Sequence, residues 1–511
     1  MTLPAGGTAW PPPPHGTALA QMAVWSAWWV GDPEGLAAAY NSASGGVSDF
    51  FNRPAQSAGG VVGAAARLFW GRPTASGQRK SRLHVPLAAD IATASADLLF
   101  SEPPQFLLMG GNDAADKRVD EVLNAGTMHA AMLEAAEIAA ALGGGWLRLV
   151  WDTDVTDHVM VDAVSADAAI GEWRWGLLQA VTFFTEYATD TQGKVLRHLE
   201  RHEPGRVLHG LYEGDRDKLG RTIPLADHPS TEPYAELVDA DGAIATGVKT
   251  LTASYVANMR PQRRWRKIDA LRELGRSDFD GVEALMDALD ETYTSWMRDI
   301  RLGKARLIVP EFMLKDLGKG KGAAFDEDQE IYAALNIAPV ESATFSQVTP
   351  HQFDIRVDDH RDTAAALVDE ILRTAGYSPS TFGAGEEGGV ATATEVVSRE
   401  RQSARTRDKK SRYWSQALDT LLTTWLELDA HVFSTGATGV VTTQWPEAVQ
   451  ADPESLARTV NTLRQAQAAS THTLVAMLHP DWNEEAIKAE TDLVMAESGM
   501  AVPDIGPLPG D

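Results

Sequence analysis

The stretch "GVATATEVVSRERQSARTRDKKSRYW", residues 389–414, gathers basic side chains in a chain that carries 71 Asp+Glu against 45 Lys+Arg. Thr392 and Glu395 are three residues apart and form a capping box, which predicts that a helix begins here. Apolar residues then recur at helical spacing to about Phe433; they are Trp414, Leu418, Leu421, Leu422, Trp425 and Leu428. We therefore predict one long helix with a cationic first half and an apolar second half, whose halves face different surroundings.

The cations of this stretch admit three interpretations: a contact to DNA, a solvated helix face, or a face packed against an acidic neighbouring subunit. Five of them point in several directions around a helix, so no single groove could take them all; they are Arg399, Arg401, Arg405, Arg407 and Lys410. Pairing between subunits is therefore the leading interpretation, ahead of direct DNA binding.

The composition describes a globular chain of several domains. Its 511 residues exceed what one core supports, and 44% are hydrophobic and 23% charged. A formal net charge of −26 argues against a tight wrapper of nucleic acid, and the absence of cysteine excludes disulfides and thiolate chemistry. Since no basic region precedes the first apolar stretch and no apolar run has membrane-spanning length, we expect a soluble, unexported protein.

The first half of the chain combines helices with a sheet. Pro- and Gly-rich residues 1–16 predict a loose arm, and "GDPEGLAAAY" predicts a helix capped by Asp32. The stretches "ALAQMAVWSAWW", "VPLAADIATASADLLF" and "LEAAEIAAAL" predict helices, the last leading into the strand "WLRLVW". From Trp146 to about Tyr255, short alternating segments predict a mixed sheet with covering helices.

The second half is mainly helical. "DGVEALMDALDETYTSWMRDIRL" places apolar residues at three- and four-residue steps, which predicts one long amphipathic helix. After a strand-like insert, "DDHRDTAAALVDEILRTAG" predicts a helix whose start is capped by Asp358 or Asp359 and whose end is capped by Gly376. The glycine-rich "YSPSTFGAGEEGGVA" predicts a loop, and short helices follow Asp452.

Catalytic motifs are absent from the sequence, and one carboxylate cluster could bind a metal. The chain has no G-x-x-x-x-G-K-[ST], H-E-x-x-H or G-x-S-x-G, which disfavours an ATP motor or a common hydrolase. Asp152, Asp154, Asp157 and His158 could hold a divalent cation. A polar hairpin after a strand explains them more simply, so we predict no metal site and no cofactor there.

A second cluster surrounds the start of the later helix. Its members are His351, Asp354, Asp358, Asp359 and His360. Helix capping accounts for the two adjacent aspartates, and we prefer it to metal binding.

The order of these pieces carries a resemblance. The series "GDPEGLAAAY", "VPLAADIATASADLLFSEPP", the amphipathic helix, "ILRTAGYSPSTFG", "ATATEV" and the long basic-then-apolar helix resembles the portal proteins of tailed bacteriophages, the head-to-tail connectors. The similarity extends from about Trp28 to Glu497 and lies in the order and character of the helices. It contains no catalytic signature.

The resemblance implies an α+β portal fold with a mixed α/β wing, a helical stem, a small α/β clip and a helical crown, assembled as a ring that is usually dodecameric. The implied domains are residues 1–255 (arm and wing), 256–302 (first stem helix region), 303–350 (clip), 351–376 (second stem helix), 377–391 (tunnel loop), 392–445 (long wing helix), 446–498 (crown) and 499–511 (flexible tail).

The resemblance also implies functional surfaces. The tunnel loop would approach DNA in the channel through Thr381, Phe382, Gly383, Glu386 and Glu387. Lys315, Lys319 and Lys321 in the clip would dock the terminase or an adaptor, although an exposed turn without a partner explains them equally well. An acidic channel would let DNA slide without binding, while the basic helix would join adjacent subunits.

The implied function is that of a non-enzymatic portal subunit at one capsid vertex. Duplex DNA would pass through it without sequence specificity during packaging and ejection, with ATP hydrolysis supplied by the terminase large subunit. Further expected partners are the major capsid protein, a scaffolding protein and a head-tail adaptor, with assembly in the host cytoplasm. The alternatives are a metal-dependent hydrolase using Asp152 and Asp154, or another capsid or head-tail component.

Overall fold

The computed structural model describes residues 3–32, 34–37, 83–187, 193–302, 306–308, 315–316, 323–324, 349–351, 356–383, 393–446, 453–479 and 484–497. The helices are α1 (His15–Val30), α2 (Leu87–Phe100), α3 (Asp113–Arg118), α4 (Gly126–Leu142), α5 (Glu232–Ala235), α6 (Glu283–Leu302), α7 (Val357–Ala375), α8 (Ala393–Val432), α9 (Pro453–Gln465), α10 (Thr471–Leu478) and α11 (Glu484–Glu497). A π-helical turn, Val119–Leu123, continues α3.

The strands are β1 (Gln105–Met109), β2 (Gly144–Val150), β3 (Met160–Ser165), β4 (Ala169–Arg174), β5 (Leu177–Tyr187), β6 (Val195–Glu203), β7 (Arg206–Asp215), β8 (Lys218–Ile223), β9 (Ala243–Ala245), β10 (Ala253–Ala257), β11 (Arg306–Ile308), β12 (Lys315–Asp316), β13 (Ala323–Ala324), β14 (Thr349–His351) and β15 (Val440–Gln444). The largest sheet is antiparallel with the order β4-β5-β6-β7-β8, and β9 pairs with β7. A second sheet has the order β10-β2-β3, and three two-stranded ribbons pair β1 with β15, β11 with β14 and β12 with β13. The fold is therefore mixed α/β.

The apolar half of α8 forms the centre of one core. Trp414 and Trp425 are almost fully buried, and the ring of Trp414 meets Phe100 edge-on at 4.8 Å. The indole Nε1 of Trp425 donates to the carbonyl oxygen of Val159 at 2.6 Å, which satisfies its one polar atom. This core confirms the predicted apolar half of the long helix.

A second core contains the start of α6 and the end of α7. Met286 and Leu289 of α6 and Ile371 and Leu372 of α7 are buried in one cluster together with residues of α1, α2 and α4. Burying this much apolar surface is the main source of stability for such an arrangement. The two long helices thus pack in the same cluster as α4, which contacts the β10-β2-β3 sheet.

Most predicted helices are confirmed. The helices predicted in the N-terminal half correspond to α1, α2 and α4, and those of the second half to α6, α7 and α8. Gly376 ends α7 in the left-handed region with φ 96, as predicted for a glycine cap. Thr392 of the predicted capping box lies outside the described residues, although α8 begins at the next position.

The N-terminal arm differs from the prediction of a loose segment. Ala9 pairs with Lys218 at the edge strand β8, and the backbone N–H of Leu219 donates to Thr8 at 3.0 Å. Trp10 is 4% exposed and stacks edge-on with Phe184. The arm is ordered because it covers an otherwise open sheet edge and buries a tryptophan.

Two further local predictions were wrong. Within the described residues between Trp146 and Tyr255, α5 is the only α-helix, and the β10-β2-β3 sheet is instead covered by α4 and α8 from outside this interval. Asp358 and Asp359 do not cap α7, which begins after Arg356 without a side-chain cap. Both aspartates lie in the first turn, where their charge complements the helix dipole.

Candidate functional site

The segment that leaves α7 leads directly into the predicted tunnel loop. After Gly376 the chain forms a 3-10 turn from Pro379 to Phe382 and reaches Gly383 with φ 73. Thr381 and Phe382 are half-buried, and Gly383 is exposed. Glu386 and Glu387, the predicted acidic pair of this loop, lie outside the described residues.

One face of α8 holds this segment in place. Ser403 accepts a hydrogen bond from the backbone N–H of Ser378 at 2.9 Å, and its hydroxyl lies 2.8 Å from that of Thr381. The hydroxyl of Thr406 donates to the carbonyl oxygen of Gly376 at 2.6 Å. Positions 403, 406 and 410 share one helix face, so the next contact along that face comes from Lys410.

Lys410 is the centre of a buried polar cluster. Its Nζ lies 2.5 Å from Asp278 Oδ2, 2.6 Å from Ser95 Oγ and 3.0 Å from Tyr377 Oη. A protonated lysine has three N–H donors, so all of them are used. The side chains of Lys410 and Asp278 are 2% and 1% exposed. We call Ser95, Asp278, Tyr377 and Lys410 the Lys410 hub.

The carboxylate of the hub is fully bonded as well. Tyr377 Oη donates to Asp278 Oδ2 at 2.7 Å, and Asn258 Nδ2 donates to Oδ1 at 2.8 Å. Burial lowers the pKa of Lys410, and the charge of Asp278 opposes that change. Burial and the same carboxylate raise the pKa of Tyr377, which keeps its hydroxyl protonated and able to donate.

The hub joins four separate parts of the chain. Ser95 lies in α2, Asp278 precedes α6 by a few residues, Tyr377 follows α7, and Lys410 belongs to α8. The start of α6 and the end of α7 are therefore fixed to the same side chain. A change in the position of any one part must break or move charge-assisted hydrogen bonds in a dry environment.

Away from the hub, α6 and α7 are tied together near their other ends. Asp299 Oδ2 of α6 lies 3.0 Å from His360 Nε2 and 3.0 Å from Arg356 Nη2. The imidazole of His360 stacks on Trp296 with ring centroids 6.0 Å apart. The two helices thus form a hairpin that is clamped at both ends.

The structure corrects the expected role of two predicted interface cations. Arg407 is buried, and its guanidinium donates to the carbonyl oxygens of Leu98 and Pro446, each at 2.9 Å. Lys410 is enclosed in the hub. Their polar groups are satisfied inside the protomer, so neither is available to a neighbouring subunit.

Of the other predicted interface cations, two lie on the surface, and the side chain of the third is outside the described part of the chain. Arg401 and Arg405 are exposed, and neither forms an ion pair with another residue in the part of the chain that the structure describes. Arg399 lies in α8, but its side chain is not among those described. Of the clip lysines, Lys315 lies in β12, whereas Lys319 and Lys321 fall outside the described residues.

The first carboxylate cluster forms a polar hairpin, as favoured from the sequence. The backbone N–H of Asp154 donates to Asp152 Oδ1 at 2.9 Å, and His158 Nδ1 lies 2.9 Å from Asp157 Oδ1. The hydrogen bond with His158 lowers the pKa of Asp157. Across the described ranges, no group of three or more His, Asp or Glu side chains is arranged to hold a metal ion.

The second cluster is dispersed. His360 packs on Trp296, while Asp358 and Asp359 are exposed. His351 lies in β14, and Asp354 is outside the described residues. Among the helices that are described, none has the length and apolarity to cross a membrane.

Helical spacing, unlike composition, gave a signal in the sequence for the burial of Lys410. Ser403, Thr406, Arg407 and Lys410 are buried and fall on the same stripe of α8 as Trp414 and the apolar residues that follow. Cations that continue an apolar stripe at helical spacing are expected to point inward. The identity of Asp278 as their partner had no local signal, because it lies 132 positions away.

Comparisons with known proteins give one family match. The family model described as "Phage portal protein, SPP1 Gp6-like" matches residues 75–500. A solved structure described as "Neck of native GTA particle computed with C12 symmetry" shares 12% identity and a TM-score of 0.37 over 80% of this chain and 89% of that chain. No curated protein matches the sequence.

Proposed function

The chain belongs to the SPP1 Gp6-like family of phage portal proteins, and on that premise we propose how its parts serve a portal. The family is structural rather than enzymatic, and its members form oligomeric rings in phage particles. This chain is accordingly a portal subunit. Identical copies, twelve in the usual arrangement of the family, surround a channel through which duplex DNA is packaged and ejected at one vertex of the virion.

Within the subunit, α6 and α7 form the stem, and residues 303–350 between them form the clip. The clamped hairpin of these helices supports the stem assignment, since both ends are fixed by polar contacts. Residues 1–255 form the arm and wing, 392–445 the long wing helix, and 446–498, with α9, α10 and α11, the crown. The short pairings β11–β14 and β12–β13 lie where a small α/β clip is expected.

The observation that carries this proposal is the Lys410 hub. Residues 377–391 form the tunnel loop, and the root of that loop is bonded to α8 by Ser403, Thr406 and Lys410. The same lysine holds the start of the stem through Asp278. The hub therefore fixes where the loop leaves the stem, and in a ring it would set how far each loop extends towards the DNA.

Charge on the stem supports a channel that does not retain DNA. Both α6 and α7 contain five Asp/Glu against two Lys/Arg. Several acidic side chains of α7 are exposed, among them Asp358, Asp359, Asp362 and Asp369. Like charge repels the phosphate backbone and weakens non-specific binding, so duplex DNA can slide.

The partners follow from the same assignment. The clip, with Lys315, Lys319 and Lys321, docks the terminase large subunit during packaging and a head-tail adaptor afterwards, and the wing meets the major capsid and scaffolding proteins. Arg401 and Arg405, with Arg399, contact the adjacent subunit. Arg407 and Lys410 serve the protomer interior instead. The subunit assembles in the host cytoplasm before it enters the virion.

The decisive test is the assembly state of the purified protein. Its mass is measured by light scattering over a range of salt concentrations, without nucleotide or added metal, and particles from the same peak are imaged by negative stain. Rings with a central channel are expected. A monomer or dimer at every salt concentration, with metal-dependent hydrolysis abolished by Asp152→Ala and Asp154→Ala, would overturn the proposal.

A further inference from the structure

The tip of the β4–β5 hairpin exposes two large apolar side chains. Trp175 is 86% exposed and Leu177 is 65% exposed. Arg174 pairs with Leu177, so Trp175 and Gly176 form a two-residue turn, with φ 55 and φ 79. Gly, Asn and Asp are the residues favoured at such left-handed turn positions. A tryptophan there costs backbone strain and is not packed against any part of the chain that the structure describes, which points to a role outside the protomer.

This tip lies against a strongly basic segment. A methyl group at Gly176 would lie 3.6 Å from Glu273 Oε1, and Glu273 is paired with both Arg260 and Arg272. Residues 260–276 contain seven Lys/Arg against two Asp/Glu, in a chain with 45 against 71. Basic residues therefore outnumber acidic ones in this segment, whereas acidic residues outnumber basic ones in the whole chain.

Several of these cations have no ion-pair partner in the described ranges. Arg263, Arg266 and Lys267 are exposed, and none forms an ion pair with another residue inside the described ranges. Arg276 has a buried Nε without a hydrogen-bond partner. Burial and the nearby Arg263 lower the pKa of Arg276, whereas Asp280 and Asp278 raise it. Cations crowd here although unfavourable for the isolated protomer, which is typical of a surface that meets an acidic partner.

The combination of side chains favours a protein partner over duplex DNA. Tryptophan and arginine are the residues that contribute most to binding at protein interfaces. Duplex DNA would use the cations, but its phosphate backbone offers no apolar surface for Leu177. A partner with an acidic surface and some apolar area fits both parts.

A second copy of this chain offers the opposite charge. Outside residues 260–276, each copy has 69 Asp/Glu against 38 Lys/Arg. In a ring, each contact is heterologous, so one face of a subunit meets a different face of the next. We propose that the tip surface, formed by Trp175, Leu177 and the adjoining basic segment 260–276, docks on an acidic face of the adjacent subunit. This inference rests on the ring proposed above.

A thiol reporter tests the contact without altering it. The chain contains no cysteine, so Gln179→Cys, on the exposed side of β5 two residues from Leu177, introduces a single labelling site. Maleimide labelling is measured in assembled rings and normalised to the same variant in denaturant, with Leu237→Cys, which replaces another 65% exposed leucine, as the matched control. We expect labelling of Gln179→Cys to be slower by about tenfold or more, as for a contact of some 1.4 kcal/mol.

Other outcomes separate the possibilities. Equal labelling of both variants in well-formed rings would overturn the inference and leave the portal function intact. Protection that arises only after duplex DNA is added would replace the subunit contact by a DNA contact. Failure of every variant, and of the unaltered chain, to form rings would instead contradict the proposed ring itself.

A pair of double variants gives the energetic counterpart. Trp175→Ala/Arg266→Glu removes the anchor and reverses one charge, whereas Leu237→Ser/Lys249→Glu makes matched changes at other exposed positions. We expect the first to raise the protein concentration needed for ring formation by about tenfold or more and the second to leave it unchanged. Equal behaviour of the two double variants would contradict the inference.

Discussion

The long helix α8 carries two sets of cations that lie within three turns of each other and have different surroundings. Arg407 and Lys410 are buried and bonded to groups of the same protomer. Arg401 and Arg405 are exposed and have no ion-pair partner in the described part of the chain. The difference shows that a run of basic residues is not one functional unit. The helical period divides it into an inner set that fixes the fold and an outer set that is free to meet a partner.

The two sets also differ in energy. Removing one member of a buried, hydrogen-bonded ion pair leaves an uncompensated charge and costs about 3–5 kcal/mol. An exposed pair contributes only about 0–1 kcal/mol and is screened by salt. Substitutions of inner cations should therefore change the stability of the protomer. Substitutions of outer cations should change assembly.

The largest effect is expected at the Lys410 hub. Asp278→Ala leaves Lys410 buried without its counter-ion, so we expect the free energy of unfolding to fall by about 3–5 kcal/mol in urea denaturation. Asp269→Asn, at a side chain that is 89% exposed, is the matched control and should change stability by less than about 0.5 kcal/mol. A loss below about 1 kcal/mol for Asp278→Ala would show that the ion pair does not hold these segments.

Removing both charges together separates the cost of an unpaired buried charge from the loss of the hub's hydrogen bonds. Lys410→Met/Asp278→Leu leaves no buried charge, so most of the stability lost in Asp278→Ala should return. The double variant still lacks the hydrogen bonds that Lys410 and Asp278 make with Tyr377. A double-mutant cycle of Lys410→Met, Asp278→Leu and their combination should therefore give a coupling energy of about 2 kcal/mol or more. Additive effects of the two single substitutions would contradict a direct pairing.

Arg407 should show a smaller effect than the hub. Arg407→Ala removes two charge-assisted hydrogen bonds to backbone carbonyls, each of which contributes about 1.5 kcal/mol or more. We expect a loss of about 3 kcal/mol, with little recovery in Arg407→Lys, because an ammonium cannot span both carbonyl oxygens. Arg405→Ala, two residues away and exposed, is the control. Equal effects at both positions would remove the distinction between inner and outer cations.

The sequence analysis predicted the helix but not this distinction, because it assigned all five cations to one subunit interface. The capping box at Thr392 and the apolar spacing from Trp414 predicted α8 because both signals are local and periodic. The same spacing extended towards the N-terminus passes through Lys410 and Arg407, so their burial was readable as well. The partners were not, because Ser95 and Asp278 reach Lys410 only through tertiary packing of α2 and of the segment before α6. Local patterns predict which way a side chain points but not what it meets.

The smallest effect on the protomer, and the sharpest contrast with the inner set, is expected for the outer cations. Arg401→Glu/Arg405→Glu should change the free energy of unfolding by less than about 0.5 kcal/mol, since neither side chain is buried or paired among the residues that the structure describes. If these arginines meet the adjacent subunit, the same variant should need a higher protein concentration to form rings, and raising the salt concentration should reduce its difference from the unaltered chain. Arg216→Glu/Lys218→Glu makes the same change of charge at the exposed β7–β8 turn and should assemble normally. Normal assembly of both variants at low salt would leave the outer cations as a solvated face and restrict the role of this basic helix to the interior of the protomer.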